Sequence, residues 1–130
     1  MIIDYAARAQ ALVGARFRAQ GRGEEGLDCV GVLLAAYQVP ASAVRRDYRL
    51  RGDHVRELCE QLGRYFRRIP QTQLRPGDTL VLRPGAQQFH LAVRTAAGFV
   101  HAHAGIGRVV ETPGMPEWPV LAVYRKRRGR

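Results

Sequence analysis

The stretch Gly26-Leu-Asp-Cys29-Val-Gly-Val-Leu-Leu34 joins a glycine-rich loop to an almost wholly apolar run. This run predicts a buried helix over residues 29–38. Asp28 stands at the expected N-cap, where a carboxylate accepts a hydrogen bond from a backbone N–H of the first turn. Cys29 would then begin the helix, where the partial positive charge of a helix N-terminus lowers the pKa of a thiol. The stretch therefore predicts a nucleophilic cysteine at the start of a central helix.

Length and cysteine content limit the class of protein. A chain of 130 residues fits one domain, predicted over residues 1–125, and it can bury a core without disulfides. The two cysteines, Cys29 and Cys59, indicate free thiols, and we expect Cys59 to be a packed side chain. No apolar run approaches the ~18 residues of a membrane span. Residues 1–13 lack the apolar core of a secretory signal, so none is expected.

The charge of the chain favours an anionic partner. The formal net charge is +10, yet the arginines are scattered and only residues 125–130 form a dense basic run. We interpret residues 126–130 as a solvated, flexible tail. The chain has one tryptophan, Trp118, and no aromatic-basic motif. The sequence therefore predicts no specific nucleic-acid binding.

Sequence patterns predict helices first and short strands afterwards. Helical spacing predicts a first helix over residues 3–13 that Gly14 ends, a loop over residues 15–27, and an amphipathic helix from Asp53 to Phe66. Turns are expected at residues 75–78 and 84–85. Five strands are predicted at residues 79–83, 89–94, 99–103, 108–112 and 120–125. This order predicts an α+β fold with N-terminal helices packed on a five-stranded, mostly antiparallel sheet.

Three of the four histidines lie on two neighbouring predicted strands. A short connection makes these strands a hairpin, and alternation brings His90 and His101 together on one face. If the helix of Cys29 packs on that face, the three side chains converge as nucleophile, base and orienting residue. Two other interpretations stay open. The histidines are structural, or His90, His101 and His103 bind zinc through three imidazoles.

Three motifs, in order, resemble the NlpC/p60 family of papain-like cysteine peptidases, which are cell-wall endopeptidases. The motifs are the nucleophile segment over residues 11–34, the strand segment Leu74-Arg-Pro-Gly-Asp78-Thr-Leu-Val-Leu, and the pair His90-Leu-Ala-Val and Gly98-Phe-Val-His101-Ala. The resemblance covers about residues 5–125 and implies the papain-like fold of that family. The compact form, with residues 20–22 and 108–111, is most similar to the branch found in phage tails and gene-transfer particles.

The resemblance implies a reaction and the residues that carry it. Cys29 attacks an amide carbonyl of a peptidoglycan stem peptide, His90 takes the thiol proton and later protonates the leaving amine, and His101 orients His90. Water hydrolyses the acyl-enzyme, and backbone N–H groups at the start of the helix help to stabilise the oxyanion. No cofactor or metal is implied. The residues expected at the substrate are Asp28, Phe17, Gln20, Tyr48 and His103.

Two positions depart from the pattern of the family. Phe17 stands where many members have tyrosine, and Val30 where many have serine. They leave a second function open, a catalytically inactive structural or assembly component of a phage-like tail with the same fold. For either function we expect synthesis in the bacterial cytoplasm without a signal peptide. The chain would then be assembled with phage-like tail proteins and act at the cell wall.

Overall fold

The computed structural model describes residues 3–23, 26–44, 54–86 and 88–128. The helices in this part of the chain are α1 (Tyr5–Gln10), α2 (Cys29–Ala36) and α3 (His54–Leu62). A small hairpin, β1 (Arg22–Gly23) with β2 (Gly26–Leu27), lies between α1 and α2. The larger sheet contains β3 (Phe66–Ile69), β4 (Thr79–Gly85), β5 (Gln88–Arg94), β6 (Gly98–His103), β7 (Arg108–Pro113) and β8 (Val120–Lys126).

The larger sheet is antiparallel throughout, in the order β3-β8-β4-β5-β6-β7. Helix α2 packs mainly on β5 and is buried on all sides except at Ala35, as expected of a helix that is apolar all round. Its side chains form the main core together with one face of the sheet. A smaller apolar cluster covers the other face. The predicted α+β fold is confirmed.

The sheet has six strands, so the predicted count of five is wrong. The strand that was missed is β3, whose first residue, Phe66, was expected to end the third helix. Phe66 and Ile69 are buried and the two arginines between them are exposed, a pattern without strand alternation. Strand β3 is held by pairing with β8, from Phe66 opposite Lys126 to Ile69 opposite Val123. Such distant pairing leaves no signal in the local sequence.

Several element boundaries also differ from the prediction. Helix α1 is shorter than expected, and Asp4 caps it by accepting from the N–H of Ala7 at 2.9 Å. Residues 15–27 are not only loop, since they contain β1 and β2. The turn predicted at residues 84–85 lies within the end of β4, which has an irregular register there. The predicted cap Asp53 lies outside the described residues.

The basic segment near the C-terminus begins inside the sheet. Strand β8 runs to Lys126, which is buried, so the predicted domain boundary at residue 125 is one residue too early. The Nε of Arg127 donates to the carbonyl oxygens of Gly63 and Phe66, at 3.2 and 3.1 Å. Residues 126 and 127 are therefore held against the domain and are not part of a flexible tail. Residues 129–130 lie outside the described residues.

Candidate functional site

Cys29 is the first residue of α2, and Asp28 fixes this start. The Oδ1 of Asp28 accepts from the N–H of Gly31 at 2.8 Å, which caps the helix as predicted. Its Oδ2 accepts from the N–H of Gln20 at 2.9 Å, which ties the preceding loop to the helix. Asp28 and Cys29 are 6% and 3% exposed. The carboxylate predicted to meet substrate is thus engaged by the backbone on both oxygens.

The thiol of Cys29 is neutral at physiological pH. Its pKa is raised to about 12, mainly by burial and in second place by the neighbouring Asp28 carboxylate. The backbone N–H groups of Leu91, Val30 and Cys29 act in the opposite direction, since they donate toward the sulfur. The expectation that the helix N-terminus would give a thiol of low pKa is therefore wrong. Loss of hydration outweighs the helix terminus in this enclosed position.

His90 and His101 form a hydrogen-bonded pair, as the prediction that they share one face of a hairpin implied. The Nε2 of His90 lies 2.8 Å from Nδ1 of His101, and Nε2 of His101 lies 2.9 Å from Oγ1 of Thr112. The pKa of His90 is lowered to about 3 by burial first, and then by repulsion from His101 and His103. The pKa of His101 is lowered to about 4 by burial and by repulsion from His103. Both rings are therefore neutral at physiological pH.

Helix α2 brings Cys29 against strand β5. Helix α2 packs on the strand positions of Leu91 and Val93, while the side chain of His90 is directed toward His101 and Trp118. The apolar side chains of α2 thus pack on the strand positions that alternate with His90, and the convergence of Cys29 with the histidines stays a prediction. The sulfur nevertheless faces the N–H of Leu91, the residue that follows His90. The sulfur of Cys29 therefore lies beside the peptide that joins His90 to Leu91.

Two residues of this site were missed by sequence reasoning. Trp118 lies edge-on to His90 and His101, with ring centroids 5.7 and 6.2 Å apart, and it covers the pair. It sits in an irregular segment between β7 and β8, where no periodicity marks it. Thr112 closes the chain of hydrogen bonds from the other side. Once β6 and β7 are paired, alternation would have placed Thr112 beside His101.

Of the other predicted substrate residues, His103 adjoins the histidine pair, since its ring centroid lies 5.7 Å from that of His101. Phe17 is half-buried against the main core, and its N–H donates to the carbonyl of Gly107 at 2.9 Å. Gln20 has a φ of +58° at the turn held by Asp28. The Nδ1 of His103 accepts from the N–H of Ile106 at 3.0 Å, in the turn that joins β6 to β7. Tyr48 lies outside the described residues.

The zinc interpretation finds no support in the described part of the chain. There, no group of three or more His, Cys, Asp or Glu side chains is placed to hold a metal ion. The Nε2 of His90 and Nδ1 of His101 are already bonded to each other. In the same part of the chain, no helix has the length and apolar character to cross a membrane.

Comparison with known proteins identifies the fold. No family model and no curated protein matches the sequence. NlpC1 from Trichomonas vaginalis is similar in structure, with a TM-score of 0.65, 19% identity, and 93% of this chain aligned to 42% of that one. The peptidoglycan hydrolase RipB from Mycobacterium tuberculosis gives a TM-score of 0.60 and 22% identity over 94% of this chain and 62% of RipB. The chain thus spans less than two thirds of either protein.

A third similar structure is RipD from Mycobacterium tuberculosis, a non-catalytic NlpC/p60 domain protein adapted to peptidoglycan binding. It gives a TM-score of 0.57 and 17% identity over 94% of both chains. The present chain therefore has the fold of an NlpC/p60 domain, as the resemblance implied.

Proposed function

We propose that this chain is a cysteine endopeptidase of the NlpC/p60 family that hydrolyses amide bonds in peptidoglycan stem peptides. The observation that carries the proposal is that His90, hydrogen-bonded to His101 on the next strand, stands on the strand whose backbone faces the sulfur of Cys29. A cysteine, a base and an orienting residue in this order are the parts that acyl transfer by a thiol requires. RipB, a peptidoglycan hydrolase with the same fold, supports the choice of substrate.

The hydrogen-bond chain supports a choice of the proton-accepting atom. In the tautomer in which Nε2–H of His101 donates to Thr112, Nδ1 of His101 accepts from Nε2–H of His90. Nδ1 of His90 then lacks a proton and serves as the base for the Cys29 thiol. As the sulfur bonds to the substrate carbonyl carbon, the thiol proton passes to Nδ1 and then to the leaving amine. His101 keeps the His90 ring in this tautomer.

The start of α2 supplies hydrogen-bond donors for the reaction. The N–H groups of Cys29 and Val30 point toward the sulfur, while the N–H of Gly31 is already bound by Asp28. An oxyanion that forms at a carbonyl attacked by the sulfur would lie close to the two former groups. Backbone donors of this kind typically contribute a large part of catalysis in acyl transfer.

The proposal is tested by mass spectrometry of muropeptides released from purified cell walls. The intact chain should generate new peptide ends, and Cys29→Ala should generate none. Cys59→Ala is the matched control. It removes the other thiol, which is on α3 and not on the strands that carry His90 and His101. Cleavage retained by Cys29→Ala in a folded protein would exclude this mechanism.

A second candidate function is peptidoglycan binding without catalysis, in the manner of RipD. It is favoured by the pKa of about 12 for the Cys29 thiol and about 3 for His90, which oppose proton transfer between them without substrate. Iodoacetamide labelling separates the two functions when measured in a Cys59→Ala background with and without stem peptide. Substrate-dependent acceleration at Cys29 supports catalysis. Slow labelling in both conditions supports the binding function.

Delivery to the wall by a phage-like tail is part of the same proposal, as is synthesis in the bacterial cytoplasm. The resemblance to the phage-type branch supports this delivery route. The net charge of +10 also supports it, since positive charge steers a protein toward an acidic envelope. Mass spectrometry of purified particles from the producing cell tests it. The chain should co-purify with tail proteins in a fixed ratio, and its absence from the particles would contradict this route.

A further inference from the structure

A basic groove lies on the domain away from the histidine pair. Six cationic side chains line it, and they come from three separate segments of the chain: Arg67, Arg75, Arg125, Lys126, Arg127 and Arg128. The segments meet only in the fold, where β3 pairs with β8 and the turn before β4 approaches both. The concentration of positive charge is thus a product of the tertiary structure.

The acidic residues of the groove are already engaged. Asp78 is 2% exposed, and both its oxygens accept from Arg125 at 2.8 Å. Asp4 caps α1 through Ala7. Arg67, which is exposed, lies directly opposite Arg125 in the β3–β8 ladder, so its charge adds to that of the groove.

The groove is separate from the proposed catalytic site. It lies at the Arg94 end of β5, where Gly77 donates to the carbonyl of Arg94 at 2.8 Å. His90 is four residues away along that strand, or about 13 Å at the usual rise per residue. A ligand in the groove would therefore leave Cys29 and His90 accessible.

We propose that the basic groove binds a linear polymer of polyol phosphate from the cell envelope, which holds the domain near its stem peptides. The choice of polymer rests on the proposed function. Guanidinium groups bind phosphate through paired hydrogen bonds, so a row of arginines suits a chain with regularly spaced phosphates. The concave shape suits a flexible chain better than a flat membrane.

The described lining of the groove provides few aromatic side chains on which the bases of a single-stranded nucleic acid could stack. Among its described lining residues the one aromatic side chain is Tyr5, whose ring packs on Tyr37 with centroids 4.9 Å apart. Proteins that bind single strands without sequence preference use aromatic side chains as stacking platforms. A polymer without bases is therefore the better match.

The test is a titration of the full chain, carrying Cys29→Ala, with lipid-free poly(glycerol phosphate). We expect saturable binding that weakens linearly with salt on logarithmic axes, and weaker binding of hyaluronate, a carboxylate polymer without phosphate. The groove variant Arg67→Glu/Arg75→Glu/Arg128→Glu should lose at least about tenfold in affinity, because each lost phosphate contact also reduces counterion release. Two single variants repeat the comparison of affinities without charge reversal: Arg75→Gln in the groove and Arg83→Gln outside it.

The matched control is Arg56→Glu/Arg64→Glu/Arg83→Glu, which makes the same change of charge at exposed positions outside the groove. Equal weakening by both triple variants would overturn the proposal, as would tighter binding to oligo(dT) or to anionic vesicles. Because the titration uses a catalytically dead protein, its outcome is independent of wall cleavage. Cleavage with no polymer binding would refute the groove proposal alone.

Discussion

The Nε2 of His90 lies 2.8 Å from Nδ1 of His101, although the two residues are on different strands. The bond fixes one ring nitrogen of His90 and leaves Nδ1 for another partner. In a Cys–His mechanism that partner is the thiol of Cys29. His101 is therefore a positioning residue in the proposed reaction, and its contribution can be separated from that of His90.

Substitution of His101 tests this positioning role. His101→Ala removes the acceptor for His90, and we expect kcat for muropeptide release to fall by about 10²–10⁴-fold, the usual range for acid–base catalysis. His101→Asn restores an acceptor oxygen and should recover part of kcat with little change in KM. Equal activity of His101→Ala and the unmodified chain would contradict the role.

The histidine pair should titrate far below an ordinary histidine, and Trp118 can report this. Trp118 is the single tryptophan of the chain and touches both rings. A protonated imidazole quenches indole fluorescence, so emission should stay constant as the pH falls to about 5 and then decrease. A decrease centred near pH 6.5, the ordinary histidine pKa, would contradict the buried neutral pair. Circular dichroism must show that the protein is still folded.

The same lowered pKa values predict how stability depends on pH. Between about pH 6.5 and pH 4, His90 and His101 are protonated in the unfolded chain and stay neutral in the folded chain. The contribution of these residues to the free energy of unfolding is therefore complete above about pH 6.5 and is lost as the pH falls. Denaturant unfolding at several pH values measures this. His101→Asn should flatten the dependence, and an unchanged slope would contradict it.

Local patterns were enough to predict most of the secondary structure. The Asp28 cap, the helix of Cys29 and the hairpin with His90 and His101 all depend on neighbours close in sequence. Strand β3 and the cover formed by Trp118 depend on contacts with distant segments. Periodicity within one sequence does not predict contacts between distant segments.

Burial explains the part of the site chemistry that the sequence did not predict. A cysteine after an N-cap suggested a low pKa because the helix terminus is visible in the sequence. The enclosure of Cys29 at 3% exposure is not visible there, and it reverses the sign of the shift. The same holds for His90, whose low pKa comes first from burial and then from its neighbours.

Removal of the Asp28 charge should lower the pKa of the neighbouring thiol. Asp28→Asn keeps an oxygen for the N–H of Gly31 but removes the carboxylate that raises the Cys29 pKa. The rate of iodoacetamide labelling against pH, in a Cys59→Ala background, should shift to lower pH. Asp28→Ala loses the cap as well and should cost about 1 kcal/mol of stability or more. A labelling profile unchanged by Asp28→Asn would contradict this electrostatic role.

The packing of α2 on its loop should not tolerate a methyl group at Gly31. A Cβ there would overlap the carbonyl oxygen of Gly21, a backbone atom that cannot move aside easily. Alanine is intrinsically better than glycine in a helix, so helix propensity alone predicts that Gly31→Ala stabilises. We expect the clash to dominate and to destabilise by about 1–3 kcal/mol. Ala35→Gly, at the exposed position of the same helix, is the control and should cost about 0.5–1 kcal/mol. Denaturant unfolding distinguishes the two, and a stabilised Gly31→Ala would show that α2 does not pack on Gly21 as described.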